Sequence, residues 1–131
     1  MVDDYAFRAR IDAPYAETLA RVKDALQAEG FGVLTEVDFK STFAEKLGVE
    51  FREYAILGAC NPPLSHRALS QEPDAGLVLP CNVVVYEDRD GTEVVIADPD
   101  VIVQILGKSG LEHIAKKARE KLDRVAEALR R

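Results

Sequence analysis

Two phrases in this chain repeat a pairing that can do chemistry, Cys60-Asn61 and Cys81-Asn82. Both lie within Tyr54–Tyr86, where two apolar runs flank a Pro62-Pro63 turn and a short polar stretch holding His66. The thiolate is the reactive form of cysteine, and amides at a helix N-terminus lower a thiol's pKa. Cys60 stands at the end of a predicted strand, just before an Asn-Pro helix start, so it can act as a nucleophile or redox centre. Cys81 becomes its partner if the two strands are neighbours in register. The plainer alternative is burial, since free Cys behaves as a small hydrophobe. Leu79 and Val83 on the same face suit Cys81 to that role better than Cys60. No C-x-x-C occurs, so the thioredoxin-type motif is absent.

His66 can serve Cys60 as a base, or join Cys60 and Cys81 in a metal or haem site. Two Cys and one His at this spacing do not make a diagnostic zinc pattern, and a solvated surface imidazole is the plainer reading for both His66 and His113. Asn61 reads first as a helix cap. Asn82, set among valines, reads as a buried amide that needs partners of the kind a binding site supplies. Asp98 and Asp100 flank Pro99; paired carboxylates can do acid–base work, but Asp98 more simply caps the turn that follows. No dinucleotide fingerprint, P-loop, nucleophile elbow or H-E-x-x-H pattern is present. The candidate ligand-binding residues are therefore Cys60, Asn61, His66, Cys81 and Asn82. No catalytic residue, metal ligand or cofactor is assigned.

The elements that must position them follow from periodicity. Tyr5–Ile11 alternates as a strand. Asp12 and Pro14 mark a helix start, Leu19, Val22 and Leu26 recur at helical spacing, and Gly30 ends the helix. Phe31–Val37 reads as a strand, and its short link to the helix favours antiparallel or adjacent packing over a long crossover. Asp38 caps a small helix with Phe39, Phe43 and Leu47 on one stripe, closed by Gly48. Phe51–Cys60 is a strand covered on both faces, and Gly58 within it implies a close approach to the backbone. A short helix opens at Asn61 with Leu64 and Ala68 as anchors, and Gln71–Gly76 reads as a surface turn. Leu77–Asp88 reads as a strand, with Pro80 suggesting an edge or bulge. Asp90-Gly91 signals a hairpin returning through Thr92–Ala97. Asp100–Leu106 reads as one or two helical turns. Ser109 and Glu112 form a capping box for a last helix whose stripe is Leu111, Ile114, Ala115, Ala118, Leu122, Val125, Ala126 and Leu129.

This order, β-α-β-(α)-β-(α)-β-β-α over residues 1–131, predicts a single two-layer α+β domain. A mostly antiparallel sheet would carry the two long helices on one face. Its other face is apolar enough to be covered by a second copy of the chain. Of the 131 residues, 47% are hydrophobic, ample for a core. The 23 acidic and 17 basic residues leave a net charge of −6, which argues against an electrostatic grip on nucleic acid or an anionic membrane. No run of about 18 apolar residues occurs, and MVDDYAFRAR lacks a secretory pattern. The expectation is a cytoplasmic protein with reduced cysteines.

The phrases LGACNPPLSHRAL and LVLPCNVVVYE, followed by a strand and Asp98-Pro99, resemble the domain-of-unknown-function 302 family. The upstream GFGVLTEVDFKSTFAEKLG is similar to that family's corresponding segment, so the likeness spans roughly residues 20 to 105. The resemblance implies a TBP-like α+β fold and dimerisation; it implies no activity. Together these readings predict a non-catalytic cytoplasmic homodimer that binds a small ligand beside the two Cys-Asn phrases. The alternatives are a thiol-dependent enzyme or redox protein using Cys60, and a metal or haem site using Cys60, Cys81 and His66.

Overall fold

Alternating apolar residues make the strands, and the pairing of those strands decides which residues meet the helices. The computed structural model describes residues 5–107 and 110–131. Its strands are β1 (Ala6–Ile11), β2 (Gly32–Asp38), β3 (Tyr54–Cys60), β4 (Cys81–Asp88) and β5 (Gly91–Ala97). Its helices are α1 (Tyr15–Ala28), α2 (Phe39–Leu47), α3 (Pro62–Gln71), α4 (Pro99–Leu106) and α5 (Glu112–Arg130), with a 3-10 turn at Pro73–Leu77. The fold is α+β. The strands form one antiparallel sheet in the order β1-β5-β4-β3-β2.

β1 and β2 are therefore opposite edges, and α1 makes the long crossover that the short link after Gly30 had argued against. That link fixes how the chain turns into β2, not how far the helix has travelled. The 14 residues of α1 span ~21 Å at ~1.5 Å each, enough to cross four inter-strand gaps of ~4.8 Å.

One parity of β1, β3, β4 and β5 faces α1 and α5. Phe7, Ala9 and Ile11 of β1, Leu57 and Ala59 of β3, Val83 and Val85 of β4, and Val94 and Ile96 of β5 pack against Val22 and Leu26 of α1 and against Leu122, Val125, Ala126 and Leu129 of α5. Every residue of the predicted stripe on the last helix is buried. The opposite face carries Tyr54, Ile56, Val84, Tyr86 and Val95, all half-buried. Rings from α2 reach its lower end, with Phe39 edge-on to Tyr54 at 5.8 Å and Tyr54 stacked on Tyr86 at 5.4 Å.

Several local signals act as expected. Asp38 Oδ1 accepts from the Ser41 amide at 3.1 Å and starts α2. Gly30 and Gly48 take the left-handed conformation after α1 and α2. Other expectations need correction. Pro14, not Asp12, occupies the N-cap of α1, with no side-chain cap. The hairpin turns at Arg89-Asp90, one residue early, because Gly91 is needed in the strand: a Cβ there would lie 2.7 Å from the Ile11 carbonyl oxygen. The predicted strand over Leu77–Asp88 starts only at Cys81, and Leu77 ends the 3-10 turn. Pro80 marks neither an edge nor a bulge. It precedes the first residue of a central strand, where its ring lies over Gly58. The Ser109 half of the capping box lies outside the described residues; Glu112 Oε2 accepts from the Gly110 amide at 2.7 Å.

The approach predicted at Gly58 is present. A Cβ there would collide with Thr35 Oγ1 and lie 2.8 Å from Pro80 Cγ. Gly58→Ala should therefore cost about 1–3 kcal/mol, the range for overpacking a closed site. Urea unfolding checks this, and a midpoint equal to that of the parent chain would refute the contact.

Candidate functional site

Three helix starts meet at the end of the sheet where β3 finishes and β4 begins. α3 begins there because Asn61 caps it: Oδ1 accepts from the Leu64 amide at 3.3 Å, while Nδ2 donates to the Glu29 carbonyl at 3.4 Å. α4 begins at Asp98, whose Oδ1 accepts from the Asp100 amide at 3.0 Å. The other oxygen of Asp98 takes the Arg119 Nε hydrogen bond at 3.1 Å, tying α4 to α5. That bond, helped by the charges of Asp98 and Asp100, raises the Arg119 pKa against its own desolvation. The guanidinium lies 5.1 Å over the Phe7 ring, so the tether is seated on the main core.

Between these helices and the sheet end is a cavity of about 340 Å³. Leu64 and Ala68 of α3, Ile102 and Val103 of α4, and Ile114 and Ala118 of α5 supply much of its wall. Small residues make the room: alanines at 68, 115 and 118 face the space where larger side chains would fill it. The polar groups at its edge are Asn61, Ser65, Cys81 and Asn82, and no Asp, Glu, Lys, Arg or His is among the described residues lining it. Leu77 and Ile105, which also line it, are 81% and 72% exposed.

Three of the five predicted site residues, Asn61, Cys81 and Asn82, therefore come together at this cavity. Asn61 is the buried helix cap expected of it. Asn82 is not buried. It pairs with Gly58, and strand alternation turns it to the face away from α1 and α5, where it is exposed. Cys60 and His66 do not line the cavity. Cys81 sits opposite Ala59, so Cys60 falls on the other parity, where its Sγ lies 3.1 Å from Ser65 Oγ. His66 is exposed on α3. The proposed metal or haem set of Cys60, Cys81 and His66 is not assembled: among the described residues no three His, Cys, Asp or Glu side chains gather closely enough to hold a metal ion. Both cysteines are free thiols.

Sequence reasoning missed the α4 and α5 half of the wall. The available signal was Pro99–Leu106, PDVIVQIL, a helix far more apolar than a one-sided surface helix requires. It buries only Pro99 completely, leaving Ile102, Val103 and Ile105 for the cavity and its mouth.

Burial, with a smaller contribution from Cys60, pushes the Cys81 thiol up to about 11 from 9.0. The folded state then holds this proton more tightly than the unfolded chain. Its contribution to stability is complete below pH 9.0 and is lost as pH climbs through about 11. At neutral pH Cys81 is a protonated thiol and a poor nucleophile. Iodoacetamide labelling of the native protein, read by mass spectrometry against pH, should show Cys81 reacting more slowly than free cysteine until pH nears 11. Fast labelling at pH 7 would contradict the burial. Separately, Asn61→Ala should lower stability by about 1 kcal/mol through loss of the α3 cap, measured as a drop in the urea midpoint.

The model of the family described as "Domain of unknown function DUF302" matches residues 7–129, extending beyond the likeness read from the motifs at both ends. No curated protein matches the chain. Among solved structures, the crystal structure of the uncharacterized conserved protein DUF302 from Bacillus stearothermophilus is similar, with a TM-score of 0.89 and 28% identity over 98% of this chain and 100% of that one. With its fold shared over almost the whole chain and its sequence matched over residues 7–129, this chain belongs to the DUF302 family.

Proposed function

We propose that the protein is a cytoplasmic homodimeric module that binds a small apolar ligand reversibly in the cavity between α3, α4 and α5. The observation that carries this reading is a cavity of about 340 Å³ whose wall is aliphatic and whose few polar groups are confined to the ends of β3 and β4. Ligand sites have this character: an apolar body with a small number of placed polar groups. At ~30 Å³ per water-sized group, the space takes about eleven non-hydrogen atoms. At ~0.5 kcal/mol per atom, between the limits for tiny and drug-sized ligands, affinity is about 0.1 mM. The free thiols fit a reducing compartment.

A different observation supports the dimer. α2 buries none of its residues, and Leu34, Leu47, Val49 and Phe51 are 40–67% exposed beside the edge strand β2. Apolar surface grouped in this way favours a partner, and a second copy satisfies it with closed symmetry.

Two measurements test these readings. The neutral fluorophore 1-N-phenylnaphthylamine, whose naphthylamine part matches that space and whose phenyl ring would project through the mouth at Leu77 and Ile105, should brighten on binding the wild type. Val103→Trp, which fills the cavity from its α4 wall, should weaken that binding at least tenfold while leaving the melting temperature within a few degrees. Equal brightening in the variant would place the fluorophore elsewhere and sink the ligand reading. Sedimentation equilibrium should give twice the chain mass of 14.4 kDa, falling to the single-chain value in Leu34→Arg/Phe51→Arg; a monomer in the wild type would end the dimer reading.

A further inference from the structure

We infer that the pocket selects an uncharged amphiphile, an apolar chain or ring ending in one neutral hydrogen-bonding group such as a hydroxyl, carbonyl or amide, and that it rejects carboxylates, phosphates and amines of the same size. This inference rests on the cavity being a ligand site.

Charge is the first argument. Among the described residues lining the cavity there is no acid, base or imidazole. An anion or cation entering it would lose hydration without meeting a counter-ion, which costs far more than burying a neutral polar group. Arg119, which follows the lining residue Ala118, is held by Asp98 at 3.1 Å and Asp100 at 3.5 Å and is not among the described residues of the wall.

The second argument concerns backbone amides. Helix N-termini are ready anion sites when their first amides are free. At α3 they are not: Pro62 and Pro63 have no N–H, the Leu64 amide donates to Asn61 Oδ1, and the Ser65 amide donates to the Asn61 carbonyl. At α4, Pro99 has no N–H, the Asp100 amide donates to Asp98 Oδ1, and the amides of Val101 and Ile102 donate to the Asp98 carbonyl. Asp98 and Asp100 add negative charge beside that terminus. At the start of α5, Glu112 places another carboxylate, on the Gly110 amide. Two helix starts that could have gripped a phosphate are capped shut.

What remains at the edge is neutral and unsaturated. Asn82 is exposed at the rim of the cavity, and its amide, with no side-chain hydrogen bond among the described residues, offers both donor and acceptor to a head group at the mouth. Ser65 Oγ meets Cys60 Sγ at 3.1 Å and keeps a further lone pair. Cys81 stays protonated at neutral pH and adds no charge. A single neutral head matches these groups; a charged one does not.

Competition against bound 1-N-phenylnaphthylamine at pH 7.5 tests this with four eight-carbon probes: octan-1-ol, octanamide, octanoate and octylammonium. The alcohol and the amide should displace the fluorophore at concentrations at least tenfold below either ion. Octanoate should gain on the alcohol as pH falls toward 5 and its acid form appears. Asn82→Lys should improve octanoate at least fivefold without improving octan-1-ol. Octanoate or octylammonium competing as well as the alcohol at pH 7.5 overturns the inference while leaving the pocket intact, and so does a bound fluorophore that none of the four displaces. A fluorophore that never binds overturns the pocket reading itself, and this inference with it.

Discussion

The pairing of β3 with β4 sets the position of almost every other residue. Ala59 stands opposite Cys81, Leu57 opposite Val83 and Ala55 opposite Val85. With that register, the small and β-branched residues of both strands form one continuous surface for α1 and α5. A slip by one residue would exchange faces, presenting Asn82, Val84 and Tyr86 to the core and turning Val83 and Val85 outward. The same pairing separates the two cysteines by parity. It also brings Asn61 and Asn82 to one end of the sheet, since each follows or opens a strand at that end.

The cavity is a consequence of how α4 is held. A helix of eight residues has little stability of its own. Here Asp98 caps it and also receives Arg119 from α5, while Arg119 rests on Phe7 in the main core. The tether acts at the first turn only. Beyond it α4 leans on a second, smaller apolar cluster of Leu64, Ala68, Ala75, Leu111, Ile114 and Ala118, with Val103 and Leu106 packed against it. Three of its six buried members are alanines, so the two helices can be anchored together without their side chains filling the space between them.

The sequence discloses the parts whose information is local. The stripe of the last helix, the caps at Asp38 and Asn61 and the glycine stops after α1 and α2 each involve residues within a turn of one another, and all are where the pattern puts them. Even the close approach at Gly58 is legible, because a glycine inside a strand has few other reasons to be there. The rest depends on pairing between distant segments. That β1 and β2 are opposite edges follows from β4 and β5 inserting beside β3, which periodicity cannot express. Asn82 looks buried among valines when read linearly; only its partner Gly58 shows that it faces outward. The site is half legible for the same reason. The Cys-Asn phrases lie at the sheet end of the cavity, but PDVIVQIL carries no alternation to say which of its faces is needed.

The two unsatisfied apolar regions lie at opposite ends of one strand pair, and this bears on how they can work together. The ring cluster centres on Tyr54 and Tyr86, while the cavity begins at Cys81, whose partner Ala59 is five residues further along β3. At ~3.4 Å per residue the separation is ~17 Å. A second copy seated on α2, β2 and the aromatic rings would therefore leave the mouth at Leu77 and Ile105 open. The charge distribution agrees with such a division. At the ring end, Arg10 and Arg52 pair with Asp88 and Arg52 lies 5.6 Å over Tyr86, so that surface mixes ion pairs with apolar area, as an interface between soluble copies does. Among the described residues, the cavity wall has no charged side chain. Surfaces of such different composition on one small sheet suit the two different occupants proposed, a second copy at one end and a small neutral molecule at the other.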